Sequence, residues 1–150
     1  MTTRSTFFFL ALPLLACSSD AATGLAAPTG VFTRSDASGA TPVTVTLAFA
    51  SGKGARLSKR TASQGEITER TCFSYEGGGG AALKATLKKT VVAGNGVTTE
   101  QDQAGRVVEQ SVGMTSDGSR LTSDAFLETG RFEYARDTSV GEASVMQGCP

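Results

Sequence analysis

The chain has 150 residues, and its 14 basic and 14 acidic groups leave a formal net charge of +0 at pH 7. That length suits one domain around a single hydrophobic core, and the absence of a concentrated basic patch argues against a nucleic-acid partner. There is no histidine, which removes Ser-His-Asp and Cys-His nucleophiles and nearly every zinc site. We therefore expect no enzymatic activity, no metal and no cofactor.

The first residues have the order of a secretory signal peptide. Arg4 supplies a positive charge, the apolar run 7–15 follows it, and the small residue Ala16 comes directly before Cys17. The apolar run is too short to span a bilayer. The N-terminus therefore predicts that the protein is exported.

The segment Leu14-Leu15-Ala16-Cys17 resembles the lipobox of bacterial lipoproteins. The resemblance implies that residues 1–16 are a lipoprotein signal peptide and that Cys17 becomes a lipidated N-terminus. Because Ser18 follows the cysteine, it also implies delivery to the outer membrane, on its periplasmic face. Residues 17–28 then form the lipidated cysteine and a flexible tether, and residues 29–150 form the folded domain.

Ordinary secretion is the alternative at this end of the chain. Small residue pairs at 21–22 and 26–27 are possible cleavage sites for a common signal peptidase. Cleavage there leaves a soluble secreted protein with no membrane partner. Lipidation instead makes the membrane a partner through the N-terminal acyl chains.

Three cysteines are an odd number for an exported chain. With Cys17 committed to lipid, Cys72 and Cys149 remain, and an oxidising compartment favours a disulfide between them. That bridge closes a loop of about 77 residues, for which the chain-entropy model gives about 4 kcal/mol. A redox-active or metal-binding thiol pair is the alternative, but the chain has no C-x-x-C spacing.

Alternation of apolar and polar residues predicts β-strands along the whole domain. Residues 43–49 alternate most clearly, and a second strand places Leu83, Ala85, Leu87 and Val91 on one face. Further strands are predicted around residues 30–32, 72–75, 121–127 and 132–136. Segment 98–111 is ambiguous, and we predict a loop or single turn there, followed by a strand from about residue 106 to 114.

Turn signals separate these strands. They lie at 51–54, 77–80, Asn95-Gly96 and Asp117-Gly118. The last two favour type I′ hairpins, because both central residues of that turn need positive φ. Short turns between strands predict an all-β, antiparallel, up-and-down meander.

About eight such strands can close into a barrel, which removes exposed sheet edges. The chain resembles the lipocalin-like (calycin-type) domains of bacterial lipoproteins: Gly30-Val31-Phe32 is similar to their Gly-x-Trp, and Phe132-Glu133-Tyr134-Ala135-Arg136 is similar to their last strand. The resemblance implies that Arg136 packs across Phe32 and closes the barrel. Such a cation–π contact contributes about 1 kcal/mol.

Charge is unevenly distributed along the domain. Eight basic groups and three acids lie from Lys53 to Lys89, whereas nine acids and four arginines lie from Glu100 to Glu142. One interpretation is a basic face for lipid headgroups or an acidic polysaccharide. The interpretation we favour is that strands of the two halves lie side by side and neutralise one another.

The predicted barrel is compatible with two non-catalytic functions. In the first, a monomeric barrel holds a small apolar ligand in its interior, as lipocalin-like folds often do. The candidate interior residues are Val45, Leu47, Phe49, Phe73, Tyr75, Leu87 and Phe132. In the second, those side chains fill the barrel, and its exterior binds another envelope protein or polymer, inhibitor-type roles included.

Overall fold

The structure, a computed structural model, describes residues 27–78, 82–124 and 130–150. The signal peptide, Cys17 and most of the tether lie outside the described residues. Within the described part, the protein is an antiparallel all-β sheet of ten strands with one short helix. No helix in that part is long and apolar enough to cross a membrane.

The strands follow one another in chain order with short connections. Their bounds are β1 (Gly30–Asp36), β2 (Val43–Ala50), β3 (Lys53–Ala62), β4 (Gly65–Gly77), β5 (Leu83–Gly94), β6 (Val97–Asp102), β7 (Val107–Gln110), β8 (Val112–Met114), β9 (Arg120–Asp124) and β10 (Arg131–Arg136). A one-turn helix, α1 (Glu142–Val145), lies in the C-terminal segment, residues 137–150. The all-β antiparallel prediction is therefore confirmed.

The sheet runs in the order β6-β5-β4-β3-β2-β1-β10-β9-β8, and β7 also pairs with β5. The sheet has ten strands where about eight were predicted, and its hydrogen-bonded ladders do not close into a barrel. The chain nevertheless passes from β7, paired with β5, to β8, paired with β9, through the single residue Ser111. The chain thus runs directly from a strand near one end of the sheet to the strand at the other end.

Segment 97–114 accounts for the extra strands. Its first part, expected to be a loop or turn, is strand β6 instead. Ala104 and Gly105 then have positive φ angles of 50° and 70° and interrupt the pairing with β5. The strand expected from about residue 106 is present, but Ser111 divides it into β7 and β8.

Two hairpin turns have positive φ at both central residues. Asn95 and Gly96 have φ angles of 53° and 75°, and Ser51 and Gly52 have 49° and 77°. This is the conformation that a two-residue hairpin of type I′ requires. The prediction for Asp117-Gly118 was only half right, because Gly118 alone has positive φ (68°) and the turn is part of a longer loop.

A β-bulge separates the two halves of β5. Phe73 lies opposite Leu87 and Cys72 lies opposite Lys89, so Lys88 is an additional residue on β5. Since side chains alternate between faces, one additional residue reverses the alternation beyond it. The prediction that Val91 shares a face with Leu87 was therefore wrong: Val91 lies opposite Arg70, on the other face.

Apolar side chains on the two faces of the sheet form two separate clusters. We call the larger one the inward cluster; its buried members are Phe32, Val45, Leu47, Phe49, Phe73, Leu83, Ala85, Leu87, Val112, Leu121 and Tyr134. The smaller one, the outward cluster, has the buried members Val31, Ala48, Ala55 and Val145. Because Val145 belongs to α1, the C-terminal segment covers part of the outward face.

Candidate functional site

All seven predicted interior residues lie in or against the inward cluster. Val45, Leu47, Phe49, Phe73 and Leu87 are buried members, and Tyr75 and Phe132 are partly buried and pack against them. Strand alternation explains this placement, because every second side chain of β2 and β4 points to the same face. The structure therefore brings the predicted set together.

Aromatic rings occupy the middle of the inward cluster. The Phe49 ring makes edge-to-face contacts with Phe32, Phe73 and Tyr75, with centroid distances of 6.4, 6.0 and 5.3 Å. The Tyr75 hydroxyl donates a 2.8 Å hydrogen bond to the Pro28 carbonyl. Burial raises the pKa of Tyr75. The rings thus pack against one another in the edge-to-face geometry that aromatic pairs favour.

The centre of the inward cluster is filled. Val45, Leu47 and Phe49 have no exposed surface, and Phe73 and Leu87 are 2% and 1% exposed. A side chain that borders a water-sized void would keep accessible surface toward that void. Among the described residues, the centre of this face therefore leaves no space for a ligand.

Charged side chains also point to the inward face, and sequence reasoning missed them. The Arg34 guanidinium lies over the Phe132 ring, 3.8 Å from its centroid. Arg56, 6% exposed, makes a 3.3 Å ion pair with Glu69. A usable signal existed: Arg34 stands two residues after Phe32, and such residues share a face of a strand.

Arg136 and Phe32 lie together at the junction of β1 and β10. The guanidinium carbon of Arg136 is 5.0 Å from the centroid of the Phe32 ring. Its Nε donates to the Gly118 carbonyl at 2.7 Å, and its Nη2 donates to the Thr29 carbonyl at 3.1 Å. One side chain thus links the first strand, the last strand and the loop before β9.

The predicted disulfide is present between Cys72 and Cys149, with a Cα–Cα distance of 5.5 Å. It attaches the C-terminal segment to the outward face of β4. Arg70 adds a second attachment, because its Nε donates a 2.8 Å hydrogen bond to the Val145 carbonyl. The disulfide prediction is confirmed, but the cover that the segment places over the outward face was not foreseen.

Two open grooves flank the C-terminal segment on the outward face. The first, which we call the threonine groove, has a volume of 530 Å³, and its lining includes Thr33, Thr44, Thr46, Thr68, Lys59 and Arg70. The second, the disulfide groove, has a volume of 440 Å³ and is lined by both cysteines together with Lys53 and Lys88. Both volumes lie in the range of small-molecule sites.

Ion pairs between described residues show where the basic and acidic halves of the chain meet. Lys89 of β5 pairs with Glu100 of β6 at 3.3 Å, which joins the basic half to the acidic half. Three further pairs lie within one half: Arg56–Glu69, Lys84–Glu76 and Arg120–Glu133. Lys59 makes no ion pair within the described part of the chain, and it lines the threonine groove.

Within residues 27–78, 82–124 and 130–150, no group of three or more His, Cys, Asp or Glu side chains is arranged to hold a metal ion. Comparison of the chain with protein-family models, with curated proteins and with solved structures found no match in any of the three. We therefore infer function from the chain's own residues.

Proposed function

We propose that this protein is a lipid-anchored lipoprotein of the cell envelope that binds a partner through the exterior of its β-domain, without catalysis. The observation that carries the proposal is the complete burial of the inward cluster at Val45, Leu47 and Phe49. A filled interior favours the exterior-binding function over an apolar ligand carrier. The open grooves beside the C-terminal segment supply concave surface for binding.

We further propose that the sheet is a lipocalin-like barrel of eight chain runs, in which 97–114 counts as one run. Its support is the composition of the inward cluster, which joins Leu83 and Leu87 of β5 to Val112 of β8 and Leu121 of β9. These strands belong to opposite ends of the hydrogen-bonded order. A sheet whose two ends share one apolar core is curled on itself.

We propose that a lipid attached to Cys17 anchors the protein to the periplasmic face of the outer membrane. The support is the lipobox-like sequence that ends at Cys17. Cys17→Ser should give an unprocessed or soluble product, whereas the matched variant Ser19→Ala should remain processed and membrane-bound. Membrane fractionation and mass measurement of both variants test this. A Cys17→Ser protein that is still cleaved and still membrane-bound would contradict the anchor and favour ordinary secretion.

Native mass spectrometry tests the binding proposal with protein extracted from its own host in mild detergent. We expect a mature mass that begins at Cys17, carries acyl chains and retains no small apolar molecule in a fixed ratio. A stoichiometric apolar molecule that is released only when the protein unfolds would instead show an interior carrier. An unacylated mass would overturn the anchor. The binding proposal would then be judged separately, by whether a small apolar molecule is retained.

A further inference from the structure

The threonine groove lies between the C-terminal segment and the outward side chains of β1 to β4. Its polar wall consists of hydroxyl groups from adjacent strands, with Thr33 of β1 beside Thr46 of β2. Their hydroxyl oxygens are 3.2 Å apart and share one hydrogen bond. The Thr33 hydroxyl also hydrogen-bonds the Asp137 carboxylate. Because a hydroxyl has one donor and two acceptor sites, acceptor sites of this pair remain for a ligand.

The basic groups of the groove are not neutralised by the protein. Arg70 uses its Nε–H to hold the Val145 carbonyl, and its terminal amino groups make no bond with a described residue. Lys59 is exposed and makes no ion pair within the described chain. One carboxylate, that of Asp137, lines the same groove. Two cations against one carboxylate leave one positive charge in excess.

Asp137 is held in its ionised form. The Ser139 hydroxyl donates a 2.6 Å hydrogen bond to Asp137 Oδ1, and the Ser139 backbone N–H donates to the same oxygen at 3.0 Å. Both bonds lower the pKa of the Asp137 carboxyl. At neutral pH, this side chain is therefore an acceptor, which suits the hydroxyl groups of a ligand but not its anionic group.

We propose that the threonine groove binds a small anion that carries hydroxyl groups, of the class formed by sugar acids and sugar phosphates. Lys59 and Arg70 would take the anionic group, and the threonine hydroxyls and Asp137 would take the ligand hydroxyls. The lining contains no aromatic ring, so recognition depends on charge and hydrogen bonds rather than on stacking. This inference rests on the proposed exterior-binding function and names its ligand class.

Calorimetric titration of the purified protein with four probes tests the ligand class. The probes are glucuronate, glucose 6-phosphate, neutral glucose and inorganic phosphate. We expect glucuronate or glucose 6-phosphate to bind at least about tenfold more tightly than glucose and than inorganic phosphate. The tighter of the two identifies the anion as carboxylate or phosphate. Equal binding of glucose, equal binding of inorganic phosphate, or no binding of any probe would overturn the proposal.

Substitutions locate the binding in the groove. Lys59→Gln, at an exposed position that does not challenge the fold, should weaken the tighter probe by about tenfold. The matched control Lys84→Gln removes an exposed lysine of β5 that does not line the groove, and it should leave affinity unchanged. Equal losses in the two variants would show general charge attraction only, and would contradict the assigned site.

Thr44→Val tests the hydroxyl wall because it keeps the side-chain shape and removes only the polar atom. We expect a several-fold loss of affinity with little change in the unfolding midpoint, because the 3.3 Å bond that Thr44 makes with the Ser35 hydroxyl is exposed. Unchanged affinity would contradict the role given to the hydroxyls. Failure of the proposed function is distinguishable from all of these results, because it would appear as an apolar molecule retained in the interior during native mass spectrometry.

Discussion

The two faces of this sheet are stabilised in different ways. The inward cluster draws buried side chains from seven strands and contains no cysteine. The outward cluster has few buried members, and one of them, Val145, belongs to a segment attached through the Cys72–Cys149 disulfide. Two open grooves lie beside that segment. The comparison indicates that the inward face supports the fold and the outward face is available for binding.

The largest expected effect comes from truncation of the inward cluster. Leu47→Ala removes a side chain with no exposed surface, and such losses cost about 2–5 kcal/mol because a cavity remains. The matched variant Leu57→Ala, partly buried in the outward cluster, should cost at least about 1 kcal/mol less. Urea unfolding of both variants measures the difference. Equal costs would remove the distinction between the faces.

Loss of the disulfide should come next. The double variant Cys72→Ser and Cys149→Ser should lower the free energy of unfolding by about 2–4 kcal/mol. Hydrogen exchange should rise in residues 137–150 while the inward strands β2 and β4 keep their protection, because the inward cluster does not depend on the bridge. Loss of protection in β2 as well would show that the two faces are one cooperative structure.

A smaller effect is expected at the junction of β1 and β10. Arg136→Lys removes the fork that reaches two carbonyls and lies over Phe32, and it should cost about 1–2 kcal/mol. Gly30→Ala should also destabilise, since Gly30 has a φ of 102° and an added Cβ would lie 2.6 Å from the Arg136 guanidinium. The control Arg106→Lys, at an exposed position, should leave the urea midpoint unchanged; a matching shift in the control would contradict this role.

The smallest effect concerns pH. Hydrogen bonds from the Thr115 hydroxyl and from Ser119 lower the pKa of Asp117 to about 2 from 3.8. The stabilisation is complete above pH 3.8 and is lost as the pH falls toward about 2. Thr115→Val should raise the pKa of Asp117 toward 3.8 in an NMR titration, whereas Ser38→Ala, beside Asp36, should not. An unchanged Asp117 titration would contradict this assignment.

Two features were predictable from the sequence: the strands, from the alternation of apolar and polar residues, and the disulfide, from the number of cysteines. The strand alternation around Leu47 led to the all-β antiparallel class, and the cysteine pair 72 and 149 led to the disulfide. The bulge at Lys88 was not predictable, because one extra residue reverses the faces without a change in composition. Ala104 was missed as well, since its positive φ of 50° is rare for a residue other than glycine.

The threonine groove was also absent from the sequence-based expectations. Its walls come from β1 to β4 and from the C-terminal segment, which are distant in the chain. Polar residues such as Thr33 and Thr44 looked like the solvent face of ordinary strands. Only the path of the segment across that face, set by Val145 and the disulfide, makes them the wall of a groove.

The filled interior is the central claim, and Ala85→Phe tests it most directly. Ala85 points into the inward cluster and has no exposed surface. If the interior is filled, the added ring has no space, and the free energy of unfolding in urea should fall by about 1–3 kcal/mol. If the interior is hollow, the ring will be accommodated, and unchanged or increased stability would contradict the account and restore the apolar-ligand carrier.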